Sequence, residues 1–341
     1  MTRCRWSILL GKHTRTMRTL RMISRTALAV LLALSFTACR APSATPHTDE
    51  IPAFSPARLN SGERLRVVAT TSIVADVVQN IGGEMIDLTP LMPLGTDPHA
   101  FEPTPQNMAA IANSHVVFAN GACLETFLEP ILQSAEAGDK IVLVSSGVAL
   151  LQFGATGTQE QQDEHGGVDP HTWFDPGNVS VWVRNIEAAL AALDPANAAK
   201  YKANADAYAA KLDELDSWIR TQTAQIPAAN RKLVTDHTVF TYFAARYGFE
   251  QVGAVFPGYS TLASPSAKEL ASLEDAVHAQ GVKAVFVGRT ANATLAERLA
   301  QDTGIRLVFV YTGSLGEAGS PGNTYLAMMR ANVAAIVGAL R

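Results

Sequence analysis

Two short segments of the sequence have nearly the same order of residue types. The segment DPHTWFDP runs from Asp169 to Pro176, and DPHAFEP runs from Asp97 to Pro103. Each places a histidine directly after Asp-Pro and close to an aromatic residue. Asp-Pro favours a turn, and an imidazole held on a turn can bind a metal ion or transfer a proton. The repeated pattern therefore points to His99 and His171 as candidates for chemistry.

A third histidine, His237, shares their main property, an acidic residue one or two positions before it. The acidic neighbours are Asp97, Asp169 and Asp236. A metal-bound histidine usually donates its second ring N–H to a carboxylate or a carbonyl group. The same pairs also fit ordinary capped turns, so the spacing alone leaves a metal site and a purely structural role open.

The elements around these histidines alternate between short apolar strands and helical patterns. The first half contains RLRVVAT, MIDLTPL, HVVFANG and KIVLVSS, and the second half repeats the style with KLVTDH, EQVGAVF, KAVFVG and RLVFVY. Such alternation predicts parallel α/β structure. Loops after the carboxyl ends of parallel strands line ligand crevices. We therefore expect two similar α/β lobes with parallel sheets, and the three histidines in the cleft between them.

A long helical pattern separates the two halves. Asp194 can cap it and Pro195 can begin it. At 1.5 Å per residue the predicted helix is about 45 Å long. We predict an N-terminal lobe at 63–193 with an acidic loop at 154–168, a linking helix at 194–226, and a C-terminal lobe at 227–341. A single rigid helix between lobes predicts only a small closure.

The first 39 residues have the pattern of a secretory leader. They contain seven basic residues and no acidic one, and end in the apolar run TALAVLLALSFTAC, which is short for a membrane span. The segment FTAC resembles the bacterial lipobox, although Phe36 stands where leucine is usual. It predicts that Cys39 is lipidated, and the alternative is ordinary cleavage near Ala38. Residues 40–62, rich in Pro, Ser and Thr, predict a flexible tether.

Charge and cysteine content restrict the class of ligand. Without the leader the chain has 20 Lys and Arg against 31 Asp and Glu, a formal charge of −11. This excess argues against a nucleic acid partner and mildly favours a cation. Cys123 is the sole cysteine beyond the tether, which excludes a cysteine-based zinc site. Translation could begin at Met1, Met17 or Met22, and the last gives a more typical leader length.

Five separated segments resemble the zinc- and manganese-binding solute-binding proteins of ABC importers, a family that includes adhesin lipoproteins. They are TTSIVADVVQNIGG, LMPLGTDPHAFEPTPQNM, VDPHTWFDPGNV, VTDHTVFTYFAARYGF and GSPGNTYLAMMRANVAAIVGAL, in family order over about residues 63–341. The resemblance implies two α/β lobes joined by one long helix, with His99, His171 and His237 as metal ligands between the lobes. It also implies an ABC permease as partner, a monomer without enzymatic activity, and an extracytoplasmic location, either lipid-anchored or periplasmic.

The sequence departs from the family at one ligand position. Many members have an aspartate ligand in a TDS segment, whereas YTGSL here places Gly313 at that position. Three imidazoles without a carboxylate suit Zn²⁺ better than Mn²⁺. The fourth position could be filled by water or by a side chain. The candidates are Glu164 and His165 in the acidic loop, which could equally be a solvated linker, and Glu102 or Glu317.

Other functions remain compatible with these residues. Three histidines and an open position could form a hydrolytic zinc centre, although the sequence has no HExxH motif and no nucleophile elbow. The fold could also serve an adhesin or a metallochaperone without a transporter, or a binder that lost its metal when Gly313 replaced the acid. The sequence favours an importer component that captures Zn²⁺, with Mn²⁺ as the alternative metal.

Overall fold

The computed structural model describes residues 53–128, 138–152 and 167–341. The predicted leader with Cys39, most of the predicted tether, and Glu164 and His165 lie outside the described residues. Within the described ranges, no helix combines the length and the hydropathy needed to cross a membrane.

The N-terminal lobe is built on a four-stranded parallel sheet. Its strands are β1 (Leu65–Ala69), β2 (Ile86–Pro90), β3 (Val116–Ala119) and β4 (Ile141–Leu143), in the order β2-β1-β3-β4. All three neighbouring pairs are parallel. The VVFA sequence of β3 is entirely buried, as expected for a central strand that is covered on both faces.

Three helices of this lobe begin at side-chain caps. They are α1 (Ser72–Gly82), α2 (Pro105–Asn113) and α3 (Pro176–Leu193). Thr104 caps α2 and Pro105 occupies its first turn. At the start of α3, the Asp175 carboxylate accepts a hydrogen bond from the Gly177 N–H at 2.7 Å. The caps satisfy backbone donors that a helix start leaves unpaired.

The long helix α4 spans Ala198–Thr223 and joins the two lobes in the chain. Its 26 residues give a length of about 39 Å, less than the predicted 45 Å, because residues Pro195–Asn197 form a 3₁₀ turn instead. The prediction that Asp194 caps this helix is wrong: its carboxylate accepts hydrogen bonds from Asn197 Nδ2 and Tyr201 Oη. The large apolar side chains that recur along α4 at helical spacing are buried: Tyr201, Tyr208, Leu212, Leu215 and Ile219.

The C-terminal lobe repeats the topology of the first. Strands β5 (Lys232–Thr235), β6 (Glu250–Ala254), β7 (Ala284–Gly288) and β8 (Arg306–Val310) form a parallel sheet in the order β6-β5-β7-β8. Its helices are α5 (Thr241–Tyr247), α6 (Ala267–Gln280), α7 (Thr294–Thr303) and α8 (Tyr325–Leu340). The predicted architecture of two parallel α/β lobes is confirmed.

The two lobes share their largest apolar core. One cluster of buried residues includes Trp173 and Phe174 from the N-terminal lobe and Phe240 and Tyr325 from the C-terminal lobe. The Phe174 and Phe240 ring centroids are 4.4 Å apart. Helix α4 packs against α1 and α3 of the N-terminal lobe and against α8 of the C-terminal lobe. Because the lobes share a packed interior, a large separation of one from the other would expose this core to water.

Candidate metal centre

The structure brings His99, His171 and His237 together in the cleft between the lobes. Their nearest ring nitrogens all lie within 4.8 Å of one another. His171 Nε2 lies 3.2 Å from His99 Nε2 and 3.2 Å from His237 Nε2. The three residues are 9%, 1% and 3% exposed in chain order. Among the described residues, no other group of three or more His, Cys, Asp or Glu side chains is placed to hold a metal ion.

Each histidine lies on a segment whose position follows from the fold. His237 comes two residues after the carboxyl end of β5, and His99 lies in the loop that follows β2. His171 directly precedes the 3₁₀ turn Thr172–Phe174, which leads into α3. His237 and His99 lie where parallel sheets place ligand-binding loops. The cleft therefore receives one or more imidazoles from each lobe.

The His171 ring is oriented by Asp169. One carboxylate oxygen, Asp169 Oδ1, contacts His171 Nδ1 at 2.8 Å and accepts a hydrogen bond from its backbone N–H at 2.9 Å. Asn120 Nδ2 donates to the Pro170 carbonyl at 3.0 Å, and Tyr242 Oη donates to the Asp169 carbonyl at 3.0 Å. Asn120 belongs to the N-terminal lobe and Tyr242 to the C-terminal lobe, so both lobes hold this turn.

Asp236 orients the His237 ring in the same way. Its Oδ1 contacts His237 Nδ1 at 3.0 Å and accepts from the His237 backbone N–H at 2.8 Å, while Oδ2 accepts from the Gly288 N–H at 2.8 Å. Burial is the largest single influence and disfavours the charged form of both side chains, but it is outweighed by the sum of their mutual attraction, the backbone hydrogen bonds to Asp236 and the nearby carboxylates around His237. The pKa of Asp236 therefore lies below its usual value and the pKa of His237 above it.

The third acidic neighbour, Asp97, has a different partner. Its Oδ1 accepts a hydrogen bond from the backbone N–H of His99 at 3.0 Å, which fixes the turn. Its Oδ2 accepts from Thr261 Oγ1 of the C-terminal lobe at 2.6 Å. The predicted pairing of acid and imidazole is thus found at Asp169 and Asp236, whereas Asp97 holds the backbone of its histidine.

The structure shows no side chain at the fourth-ligand position that the family resemblance implies, and the exposed acidic candidates lie elsewhere. Gly313 faces Pro98, and a Cβ atom built on Gly313 would lie 2.5 Å from Pro98 Cδ. Glu102 and Glu317 are exposed and do not belong to the three-histidine group. Within the described ranges, the structure therefore brings together the three histidines and none of the proposed acidic ligands.

Sequence reasoning missed several residues that hold the histidine turns. They are Asn120, Thr235, Tyr242 and Thr261. Thr235 Oγ1 donates to the His237 carbonyl at 2.6 Å. The signal available in the sequence is position, because Asn120, Thr235 and Thr261 each lie at or after the carboxyl end of a strand.

This arrangement suits a divalent transition metal. When Nδ1 of His171 and His237 donates to a carboxylate, Nε2 presents its lone pair to the cleft. Two such lone pairs 3.2 Å apart repel each other unless a proton or a cation lies between them. Buried imidazoles with carboxylate partners are ligands for ions such as Zn²⁺.

Comparison with known proteins adds independent information. The family model of the periplasmic zinc-uptake complex component A matches residues 67–339. The chain is 34% identical over 280 residues to the manganese-binding lipoprotein MntA of Halalkalibacterium halodurans, covering 82% of this chain and 89% of the relative. It is 31% identical over 278 residues to the iron ABC transporter substrate-binding lipoprotein MtsA of Streptococcus pyogenes serotype M1, with 80% and 87% covered.

The fold is also that of a solved binding protein. The periplasmic zinc binding protein TroA from Treponema pallidum superposes with a TM-score of 0.72 and 28% identity, over 82% of this chain and 99% of that one. The names of these three proteins give three different metals, manganese, iron and zinc. They agree on metal capture and differ in the ion.

Proposed function

The chain belongs to the family of periplasmic zinc-uptake components, and we propose that it captures Zn²⁺ outside the cytoplasm and delivers it to the permease of an ABC importer. The observation that supports the proposal most strongly is the convergence of His99, His171 and His237 in the buried cleft. The chain is a solute-binding protein and not an enzyme. Several of its relatives are named as substrate-binding lipoproteins of ABC transporters. The hydrolytic alternative is therefore set aside.

The choice of zinc rests on the ligand type and on the spacing. Zinc accepts three imidazoles in a tetrahedral site, and a Zn–N distance of about 2.0–2.1 Å places neighbouring nitrogens about 3.3 Å apart. The His171 Nε2 atom lies 3.2 Å from each of its two partners. Manganese prefers more oxygen ligands, and the glycine at position 313 has no side chain that could supply a carboxylate. Mn²⁺ is the alternative ion, because relatives are named for it.

The fourth ligand is proposed to be water, with Glu164 and His165 as the alternative donors. Three imidazoles with an open position already form a competent zinc site. Both side chains belong to the acidic loop and lie outside the described residues, so a substitution experiment must decide between them and water.

Delivery to a permease requires the protein to stay near the membrane. A lipid on Cys39 followed by the tether at residues 40–62 would provide this; the alternative is a protein free in the periplasm. We expect the protein to be a monomer. We also expect it to release its metal through a small adjustment of the lobes, because buried hydrogen bonds join them: Trp173 Nε1 donates to the Thr312 carbonyl, and Tyr325 Oη donates to the Trp173 carbonyl.

Calorimetric titration of the purified metal-free protein with Zn²⁺ tests the proposal. We expect one tight site, lost in His171→Ala and retained in His278→Ala, which removes an exposed histidine from α6. Competition with Mn²⁺ then ranks the two ions. The absence of tight one-to-one zinc binding, or equal binding by both variants, would reject the proposal. Tighter binding of Mn²⁺ would reject zinc and keep the metal-capture function.

A further inference from the structure

The loop between β6 and α6 (residues 255–266) reaches from the C-terminal lobe to the N-terminal lobe. Thr261 Oγ1 in this loop donates a hydrogen bond to Asp97 Oδ2 at 2.6 Å. The other oxygen of the same carboxylate accepts from the His99 backbone N–H at 3.0 Å. A hydroxyl of one lobe thus holds the carboxylate that fixes a metal-ligand turn of the other lobe.

The same loop also lies beside the other two histidines. At its base, the Gly258 carbonyl accepts a hydrogen bond from the N–H of Thr238, the residue after His237, at 2.9 Å. Next to Gly258, the Tyr259 ring is 1% exposed, and its centroid lies 6.5 Å from that of His171. The β6–α6 loop therefore runs along the site, from His237 past His171 to the turn that holds His99.

The contact at Thr261 differs from two other hydrogen bonds that join the lobes near the site, those of Tyr242 and Trp173. Tyr242 and Trp173 donate from buried positions within the shared core. Thr261 is half-buried, and the next residue, Leu262, is 56% exposed. The Thr261 bond can consequently break without unpacking the core. A hydroxyl that donates to a carboxylate also forms a stronger bond than a neutral pair does.

We propose that Thr261 is a positioning residue of the metal site, whose hydroxyl fastens the β6–α6 loop to Asp97 and so keeps His99 against His171 and His237. The inference rests on the proposed function, because the bond between Thr261 and Asp97 is expected to determine how long the captured metal stays bound. Release of the ion requires His99 to move away from the other two rings. That movement is slowed while Asp97 is held from both lobes.

The first test measures zinc dissociation from the purified protein. Thr261→Val keeps the shape of the side chain and removes the hydroxyl, and Thr261→Ser restores the hydroxyl. Zinc is transferred to an excess of a chromogenic chelator in a stopped-flow instrument. We expect dissociation to be roughly tenfold faster in Thr261→Val, which is the scale set by a hydrogen bond to a charged group. Thr261→Ser should return the rate close to that of the native protein.

Thr303→Val is the matched control. Thr303 is a half-buried threonine of the same lobe, and its Oγ1 also donates at 2.6 Å, but to the Leu299 carbonyl within α7. A rate for Thr261→Val equal to that of the native protein would overturn the inference. An equal acceleration in Thr303→Val would overturn it too, because the effect would then reflect general destabilisation.

A second measurement requires no metal. In the metal-free protein, Thr261→Val should increase amide hydrogen exchange around both His99 and Tyr259, and Thr261→Ser should not. Unchanged exchange in both segments would contradict the proposed contact. A native protein that fails to bind zinc would reject the proposed function, while the exchange data would still decide whether Thr261 fastens the loop.

Discussion

Pro98 packs directly against Gly313 across the cleft, and its Cδ atom lies 2.5 Å from the point that a Cβ atom of residue 313 would occupy. Pro98 is the residue before the candidate metal ligand His99, and Gly313 lies in the loop between β8 and α8. Glycine at this position therefore has two consequences. It supplies no carboxylate to the metal, and it allows the two lobes to approach more closely than any other residue would permit.

Gly313→Asp is expected to weaken zinc binding, although it introduces the carboxylate that the family resemblance of the sequence implies at this position. The new side chain must displace Pro98, and such overpacking costs typically about 1–3 kcal/mol. Zinc titration and thermal unfolding measure the two effects. Gly313→Ala introduces the same clash without a carboxylate, and Gly338→Ala in α8, where a Cβ meets no atom within 4 Å, should leave binding unchanged. Tighter zinc binding by Gly313→Asp than by Gly313→Ala would show that the carboxylate reaches the ion.

Asp169→Asn should lower the affinity for zinc by roughly 10- to 100-fold, which is the usual effect of removing a carboxylate that supports a ligand histidine. Asparagine can still accept the hydrogen bond from His171 Nδ1, but it removes the negative charge that makes the imidazole a better donor to the metal. Competition against a chelator of known affinity measures the change. Asp213→Asn, at an exposed position of α4, is the control. Equal affinities of Asp169→Asn and the native protein would show that Asp169 only shapes the turn.

The grouping of the three histidines was largely predictable because their surroundings are encoded locally. His99, His171 and His237 each have an acidic neighbour in the chain, and the positions of strands β2 and β5 indicate where two of these segments lead. The contacts that hold the site together were not predictable in the same way. Thr261 and Asp97 are separated by 164 residues, and their meeting depends on how the two lobes pack.

The start of the linking helix illustrates a local limit of the same reasoning. Pro195 after a possible cap at Asp194 indicates a helix start, yet the backbone forms a 3₁₀ turn there and α4 begins at Ala198. Tertiary partners explain the difference. The Asp194 carboxylate accepts from Tyr201 Oη at 2.9 Å, a contact that competes with capping of the backbone.

The double variant Glu164→Gln, His165→Ala should retain one-to-one zinc binding with an affinity close to that of the native protein. Three buried imidazoles already converge on one point, and water can complete a tetrahedral site. The measurement is a competition titration with a zinc chelator, with His278→Ala as the control for loss of a surface histidine. A marked loss of affinity in the double variant would instead assign the fourth ligand to the acidic loop.

Asp76 joins three helices of the molecule, α1, α4 and α8. It belongs to α1, and its Oδ2 accepts from the backbone N–H of Tyr325, the first residue of α8, at 3.0 Å. Tyr208 Oη of α4 approaches the same oxygen at 3.5 Å. Burial raises the pKa of this carboxyl, and the two hydrogen bonds oppose the rise only in part. The folded protein thus holds a proton on Asp76 more readily than the unfolded chain does.

The sign of the resulting pH dependence follows from linkage. A raised pKa in the folded state contributes stability at low pH, and that contribution is lost as the pH rises from about 4 through the pKa of the folded state. Asp76→Asn cannot ionise and keeps an oxygen that accepts from the Tyr325 N–H. We therefore expect its free energy of unfolding, relative to the native protein, to increase between about pH 4 and pH 7. Urea unfolding at several pH values measures this difference. Asp76→Ala, which lacks the acceptor, should be less stable than Asp76→Asn at every pH. The raised pKa would be contradicted if the stability difference between Asp76→Asn and the native protein did not change with pH.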